Sequence, residues 1–374
     1  MRILEIGMTK NIGGIQTFLM NFNRHIDKDE VKIDYLCIYP DEKILYFYDE
    51  IQSLGARIVK TANYQKNFLR SYFEIKKLIE KEHYDVVHYN MNSACYLIPL
   101  IAAKHAGTKI IISHAHNASS DKGWLKDLVH TVNKHFIPWY ANLFFACSDK
   151  AGQYFFSKKI MESKQYYFIP NAIDMGKYAY NKEIGDAKRK ELGIGDELVF
   201  GNVGRFSKQK NHEYLIKEFL EIKVIHPHSK LLLVGHGPLK ETVEKMVSDL
   251  ELEKDVLILS FRSDVDQLLQ AMDCFIMPSL YEGLPVVGIE AQASGLPCFF
   301  SDKITTQLKI SDKARFFSLD DDIKDNAQKA IEACAEKRQE SSIINPKNRI
   351  FDSSYSSSFI VNILKENLHE ESDL

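Results

Sequence analysis

Short apolar runs rich in β-branched residues alternate with longer amphipathic segments along this chain, and the pattern restarts once near its middle. Buried parallel strands read as unbroken apolar runs and the helices covering them as 3.6-residue stripes, so the alternation predicts βα units and an α/β fold class. In the first half the predicted strands are 2–6, 32–38, 56–60, 86–89, 109–113, 143–147 and 166–169. A helix is predicted over 68–81, with Leu69, Phe73, Ile75, Leu78 and Ile79 near one stripe. Pro170-Asn171-Ala172-Ile173-Asp174 breaks the pattern, and the polar stretch to Asp186 reads as a linker. The second series runs 198–203, 230–234, 256–259, 274–277 and 297–300. Two sheets in tandem are expected, in domains over 1–175 and 176–345. The closing segment 346–374 carries a helix over 356–367 that either packs back on the first domain or stands as a plain terminal helix.

A length of 374 residues is ample for two cores. With 45% hydrophobic residues, 10 Pro and 18 Gly, collagen-like and low-complexity classes are excluded. The longest apolar stretches, such as 97–103 and 143–147, stop well short of the ~18 residues of a spanning helix. Met1-Arg2-Ile3-Leu4-Glu5 runs directly into a strand pattern instead of a secretory leader, so a cytoplasmic location is expected. Cys37, Cys95, Cys147, Cys274, Cys298 and Cys334 lack zinc-site spacing and read as buried thiols. Residues 1–175 carry 22 Lys+Arg against 18 Asp+Glu, and the remainder 26 against 33. The first half is the better neighbour for an anionic surface, but too weakly basic for a nucleic-acid binder.

Polar constellations follow the predicted strands, where open α/β sheets gather their ligands. Gly13-Gly14 precedes a helix beginning near Ile15 and offers free amides to an anion, although an ordinary turn uses the same pair. Ser113-His114-Ala115-His116-Asn117 leaves 109–113, and a turn at the strand end would let only one histidine serve the site. No third ligand supports a metal there, and His88 reads as a structural hydrogen-bonding residue. In Val203-Gly204-Arg205-Phe206-Ser207-Lys208-Gln209-Lys210-Asn211, Arg205 and Lys210 can grip one phosphate cluster, a solvated basic loop being the alternative. Pro278-Ser279-Leu280-Tyr281-Glu282-Gly283-Leu284-Pro285 leads into a helix whose first turn should hold Pro285 and which carries Glu290. Gly283 leaves amides uncovered there, and Glu282 and Glu290 suit sugar hydroxyls better than phosphate, salt-bridge partners being the alternative.

With its E-x7-E spacing from Glu282 to Glu290, and Glu-Ala-Gln-Ala-Ser-Gly-Leu-Pro beyond, the chain resembles retaining glycosyltransferases of family 4, especially bacterial capsular and exopolysaccharide members. The likeness extends through Gly13-Gly14, His-Ala-His-Asn, Ala146-Cys147-Ser148, Gly204-Arg205, Lys210-Asn211, Leu233-Val234-Gly235-His236-Gly237-Pro238 and Ser301-Asp302. It implies a GT-B fold, two Rossmann-like domains with parallel sheets facing across a cleft, the first taking an acceptor and the second a nucleoside diphosphate sugar, with UDP favoured. By the resemblance, Arg205 and Lys210 hold the diphosphate in place of a metal, Glu290 the ribose, and Glu282 the transferred sugar. Gly283 and Leu284 offer amides, Gly14 approaches the phosphate, and His116 is the catalytic-site histidine. No cofactor beyond the nucleotide sugar is implied. Ser260-Phe261-Arg262 stands where many members carry Gly after the strand, and Asn117 where many carry Asp.

The implied activity is hexosyl transfer with retention onto a saccharide or lipid-diphosphate-linked acceptor for surface polysaccharide. The rival classes are a sugar-nucleotide epimerase, a phosphorylase and a non-catalytic nucleotide-sugar sensor. Trp124, Leu125, Leu128, Val129 and Val132, with Lys122, Lys126 and Lys134, form a basic-aromatic stretch that either rests on the anionic inner face of the cell membrane or packs on its own sheet.

Overall fold

Each predicted series of strands closes into one parallel sheet in the computed structural model, which describes residues 1–11, 13–117, 123–336, 338 and 346–370. The chain divides into two compact units, Met1–Ala172 with Ile350–Leu374, and Ile173–Arg349. The α/β expectation holds in both.

The first unit contains β1 (Arg2–Ile6), β2 (Lys32–Cys37), β3 (Arg57–Lys60), β4 (Val86–Met91), β5 (Ile110–Ala115), β6 (Leu143–Ala146) and β7 (Tyr166–Phe168) in the order β3-β2-β1-β4-β5-β6-β7. Successive strands move outward from β1 to β3, and β4 then returns to the other side of β1, so the winding reverses between β1 and β4. Alternate residues of each strand feed two separate cores. Ile3, Ile33, Val86, Ile110 and Ile112 pack with Phe18 and Leu19 of helix Gly14–His25 and with Ile360, Ile363 and Leu364 of helix Ser353–Glu370. Leu4, Val87 and Ile111 pack on the opposite face with Ile75 and Ile79 of helix Phe68–Glu82.

The second unit contains β8 (Leu198–Val203), β9 (Ser229–Val234), β10 (Val256–Leu259), β11 (Cys274–Met277), β12 (Cys298–Ser301) and β13 (Ala314–Phe317) in the order β10-β9-β8-β11-β12-β13, with its reversal between β8 and β11. Helices His212–Ile225 and Ile323–Cys334 cover one face through Leu215, Phe219, Ala327 and Ala330.

Several local expectations are corrected. The stretch read as a linker up to Asp186 holds two helices, Met175–Tyr178 and Lys182–Glu191, because Asp174 and Asn181 cap them through the amides of Lys177 and Ile184. Of the stripe predicted over 68–81, Ile75 and Ile79 are buried, but Leu69 and Phe73 lie on the solvent side. Pro285 is not in the first turn: helix Val286–Ala293 starts after it, and Pro285 sits at the cap with extended ψ of 117°. Strand β13 was not foreseen, since Arg315 interrupts a short run that only edges the sheet. The terminal helix starts at Ser353, earlier than 356. Lys122 and residues 340–345 lie outside the described residues. The six cysteines are free, with Cys95 and Cys334 only partly buried. Among the described residues no helix is long and apolar enough to cross a membrane.

Candidate active site

In an open parallel sheet the loops diverge at the carboxyl ends of the strands where the winding reverses, which leaves room for a ligand. The candidate residues of the second unit sit at that place. Arg205 and Lys210 follow β8, and Glu282, Gly283, Leu284 and Glu290 follow its neighbour β11.

The two loops are laced together. Leu280 donates its amide to the Gln209 carbonyl at 2.8 Å, Asn211 Nδ2 donates to the Pro278 carbonyl at 3.2 Å, and Gln209 Nε2 donates to the Tyr281 carbonyl at 3.0 Å and to Glu282 Oε2 at 3.1 Å. Across this seam Lys210 Nζ lies 2.7 Å from Glu282 Oε1, both side chains being nearly buried. The structure thus joins two residues that sequence assigned to separate tasks, and for Glu282 it shows the salt bridge that was the alternative expectation. An ion pair withdrawn from water holds each long side chain to one geometry, at a desolvation cost that a polar ligand can share. Arg205 is exposed, and among the described residues no hydrogen bond or ion pair ties it to Lys210, Glu282 or Glu290. Close by in the fold, the loop after β9 presses on the turn after β8: a Cβ at Gly235 would come within 2.0 Å of the Gly204 carbonyl, and one at Gly237 within 2.4 Å of that of Phe206. Both glycines have strongly positive φ, so larger residues would displace the Arg205 turn.

Glu290 stands in the second turn of helix Val286–Ala293 and accepts a 2.7 Å hydrogen bond from Tyr178 Oη. Burial pushes its carboxyl above the usual range, with the Tyr178 bond pulling the other way. Gly283 has no protein atom within 4 Å of the point where a Cβ would sit, and Leu284 is buried beneath the turn.

In the first unit, helix Gly14–His25 opens directly at Gly14, which is exposed, with no side-chain cap and no acidic residue in its first turn. Its free amides are the anion-attracting end of the helix. His116, one residue past β5, is partly buried, and its Nε2 lies 2.8 Å from Asn90 Oδ1. Exclusion of the ring from water, with His88 near it, pushes the His116 imidazole down to about 3. His114 is buried outright and bonds through Nδ1 to His88 Nε2 at 3.1 Å. The two histidines thus divide, one at the rim and one in the core. Tyr178, Gln209, Glu5 and Asn90 escaped the sequence reading. Gln209 lies inside the quoted Arg205–Lys210 loop and was within reach, whereas Tyr178 meets Glu290 only through tertiary folding. Asp196, Glu197 and His228 could together coordinate a cation, but they precede β8 and β9, at the opposite end of those strands from Lys210.

Comparison with known proteins shows the family of the chain. The family model described as Glycosyltransferase Family 4 matches residues 12–177, and that described as Glycosyl transferases group 1 matches 185–348. A relative named "Putative glycosyltransferase EpsF", of Bacillus subtilis (strain 168), is 36% identical over 312 residues, covering 82% of this chain and 80% of that protein. An Escherichia coli UDP-Gal:alpha-D-GlcNAc-diphosphoundecaprenol alpha-1,3-galactosyltransferase is 27% identical over 315 residues, covering 80% and 79%. Among solved structures, Anabaena HepE in complex with UDP superposes with a TM-score of 0.75 at 19% identity over 100% of both chains, a likeness of fold. By its sequence relatives and its two reversing parallel sheets, the chain belongs to the group 1 and family 4 glycosyltransferases of GT-B fold.

Proposed function

We propose that this glycosyltransferase moves a hexosyl unit from a UDP-sugar to a saccharide, or to a saccharide carried on a lipid diphosphate, with retention at the anomeric carbon and without a metal. The observation that carries this reading is the Lys210–Glu282 pair at the β8–β11 reversal, with Glu290 on the adjoining helix. There Lys210, a cation for a diphosphate, and Glu282, a carboxylate for hydroxyls, share one seam. As the bond from the anomeric carbon to the diphosphate oxygen breaks, charge gathers on the leaving group, and Arg205 and Lys210 stabilise it more than they stabilise the bound sugar nucleotide. The acceptor oxygen bonds to the same face of that carbon, and its proton passes to the departing phosphate oxygen. Crystals of HepE with UDP and with UDP-glucose, and the UDP-Gal and diphosphoundecaprenol in the name of the Escherichia coli relative, support this choice of substrates. Relatives named as transferases favour transfer over epimerisation or passive binding.

On the acceptor side, a cleft of about 960 Å³ opens in the first unit past the ends of β2 and β3, with Lys10, Lys60, Lys66 and Arg70 among its walls. Lys60 pairs with Glu42 and Arg70 with Glu74, while among the described residues no ion pair holds Lys10 or Lys66, which suits those two to an anionic acceptor group. The amphipathic stretch foreseen in sequence is helix Trp124–Asn133, and its apolar residues Trp124, Leu125, Leu128, Val129 and Val132 are exposed instead of packed on the sheet. Lys126 and Lys134 accompany them, which suits peripheral contact with anionic lipid at the cytoplasmic face of a membrane.

Donor binding is tested by a thermal-shift screen of nucleotide sugars, and turnover by release of UDP from the best of them. Arg205→Ala or Lys210→Ala should lower the rate ~10² to 10³-fold, about 3 to 4 kcal/mol of lost transition-state stabilisation, in a folded protein. Wild-type turnover in either variant rejects the assignment.

A further inference from the structure

The face of the first sheet that meets helix Gly14–His25 is apolar along Ile3, Val86, Ile110 and Ile112, yet a polar row crosses it. Glu5 of β1 lies in register with His88 of β4, and Asn90, two residues on and on the same face, lies in register with His114 of β5. Glu5, His88, Asn90 and His114 are all buried. Phe18 closes over the histidines, its ring centre 4.9 Å from that of His114 and 5.4 Å from that of His116. Polar groups at this depth are tolerable only when hydrogen-bonded, and the bonds here leave little freedom.

Glu5 uses both oxygens, Oε1 at 3.0 Å from His88 Nδ1 and Oε2 at 3.0 Å from Asn90 Nδ2. The same Asn90 nitrogen lies 3.3 Å from the carbonyl of Ile6. A backbone carbonyl only accepts, so the amide atom facing it is the NH2 group, whatever the protonation of Glu5. Asn90 therefore turns its oxygen to His116, and an amide oxygen also only accepts, so His116 Nε2, at 2.8 Å, carries the hydrogen. On a neutral ring Nδ1 then holds a lone pair. Nδ1 is buried without a well-formed hydrogen bond, beside the side chain of Asn171.

We infer that Glu5 and Asn90 are positioning residues that lock His116 as its Nε2–H tautomer, so that Nδ1 turns a lone pair toward Asn171 and His116 supports turnover through its fixed orientation, not as the proton donor to the leaving phosphate. The substrate half of this inference rests on the functional reading above; the tautomer half does not. It resembles the way a buried carboxylate selects the tautomer of a histidine in hydrolase triads, with an amide interposed as relay.

Long-range proton–nitrogen correlation spectra of the full chain, labelled with 15N-histidine and assigned through His116→Gln, read the tautomer directly. The wild type should show hydrogen on Nε2 and a bare Nδ1; a protonated Nδ1 overturns the lock without any variant being needed. Asn90→Leu removes the acceptor and should give a mixture of tautomers, with kcat lowered about tenfold, the worth of one neutral hydrogen bond, at little change in KM for the nucleotide sugar. Glu5→Gln keeps one acceptor oxygen for two donors and should shift the tautomer partway, which covers the case that Asn90→Leu does not fold. An unchanged Nε2–H signal in both variants also overturns the positioning role. An intact wild-type tautomer combined with full activity in His116→Ala upholds the lock and overturns the substrate half alone, whereas a wild type that releases UDP from no nucleotide sugar overturns the functional reading and leaves the lock standing.

Discussion

Glu290 and Tyr178 show how a single contact sets the protonation, and so the usefulness, of a carboxylate in the candidate site. Burial raises the Glu290 carboxyl and the Tyr178 hydroxyl opposes that rise through its 2.7 Å bond. In Tyr178→Phe the opposing interaction is gone, so the carboxyl protonates at higher pH and, in the role proposed for it, loses its acceptor capacity for ribose hydroxyls. The dissociation constant of the nucleotide sugar should rise about tenfold at the lower of two pH values and less at the higher, the worth of one charge-assisted hydrogen bond when the anion is lost. Calorimetric titration at the two pH values checks this, and an equal loss at both would remove the titration argument. Residues at this scale were legible where a glycine or proline follows a strand, as at Gly204-Arg205 and Glu282-Gly283, because loops that leave a parallel sheet announce themselves in composition. Glu5 and Asn90 were not, since a lone polar residue inside an apolar run says nothing about which partner it meets across the sheet.

Elements followed the sequence closely in the sheets and poorly on the helix surfaces. Parallel strands buried on both sides need unbroken apolar runs, and those runs stand out even at 198–203 and 274–277. Helix faces are less constrained: Leu69 and Phe73 extend an apolar stripe that the fold leaves in solvent. The converse occurs in helix His212–Ile225, where Glu218 is wholly buried and neither carboxyl oxygen has a hydrogen-bond partner among the described residues. Burial pushes this carboxyl up to about 8. The folded state therefore holds a proton that the unfolded state releases near pH 4 to 5, and stability falls as pH rises through that window toward 8. Glu218→Leu should abolish this slope. We expect a gain at pH 8 exceeding that at pH 5 by a few kcal/mol, an order-of-magnitude reading of the shift, measured as denaturant midpoints of the second unit. A gain independent of pH would show that Glu218 does not titrate in the core.

Over the whole molecule, the two tryptophans of the chain both lie in the first unit and both face outward, Trp124 at 73% and Trp139 at 67% exposed. Tryptophan favours the boundary between lipid headgroups and acyl chains. If the Trp124–Asn133 helix rests on an anionic bilayer, intrinsic fluorescence should shift to the blue on adding phosphatidylglycerol vesicles at low salt, and the shift should shrink in Leu125→Glu/Val129→Glu. No shift with anionic vesicles would dispose of the membrane contact. The division of the chain in two was legible because the strand series restarts after 170–186, but the helices within that stretch depend on caps at Asp174 and Asn181 that composition alone disguised as a linker.

Helix Ser353–Glu370 packs on helix Gly14–His25, although the whole of the second unit lies between them in the chain. During synthesis, the first sheet is thus made early but stays with one apolar flank uncovered until helix Ser353–Glu370 leaves the ribosome. Vectorial folding cannot finish the first unit before the second has emerged, and a nascent chain stalled near residue 349 would carry an open hydrophobic flank into the reach of chaperones and proteases.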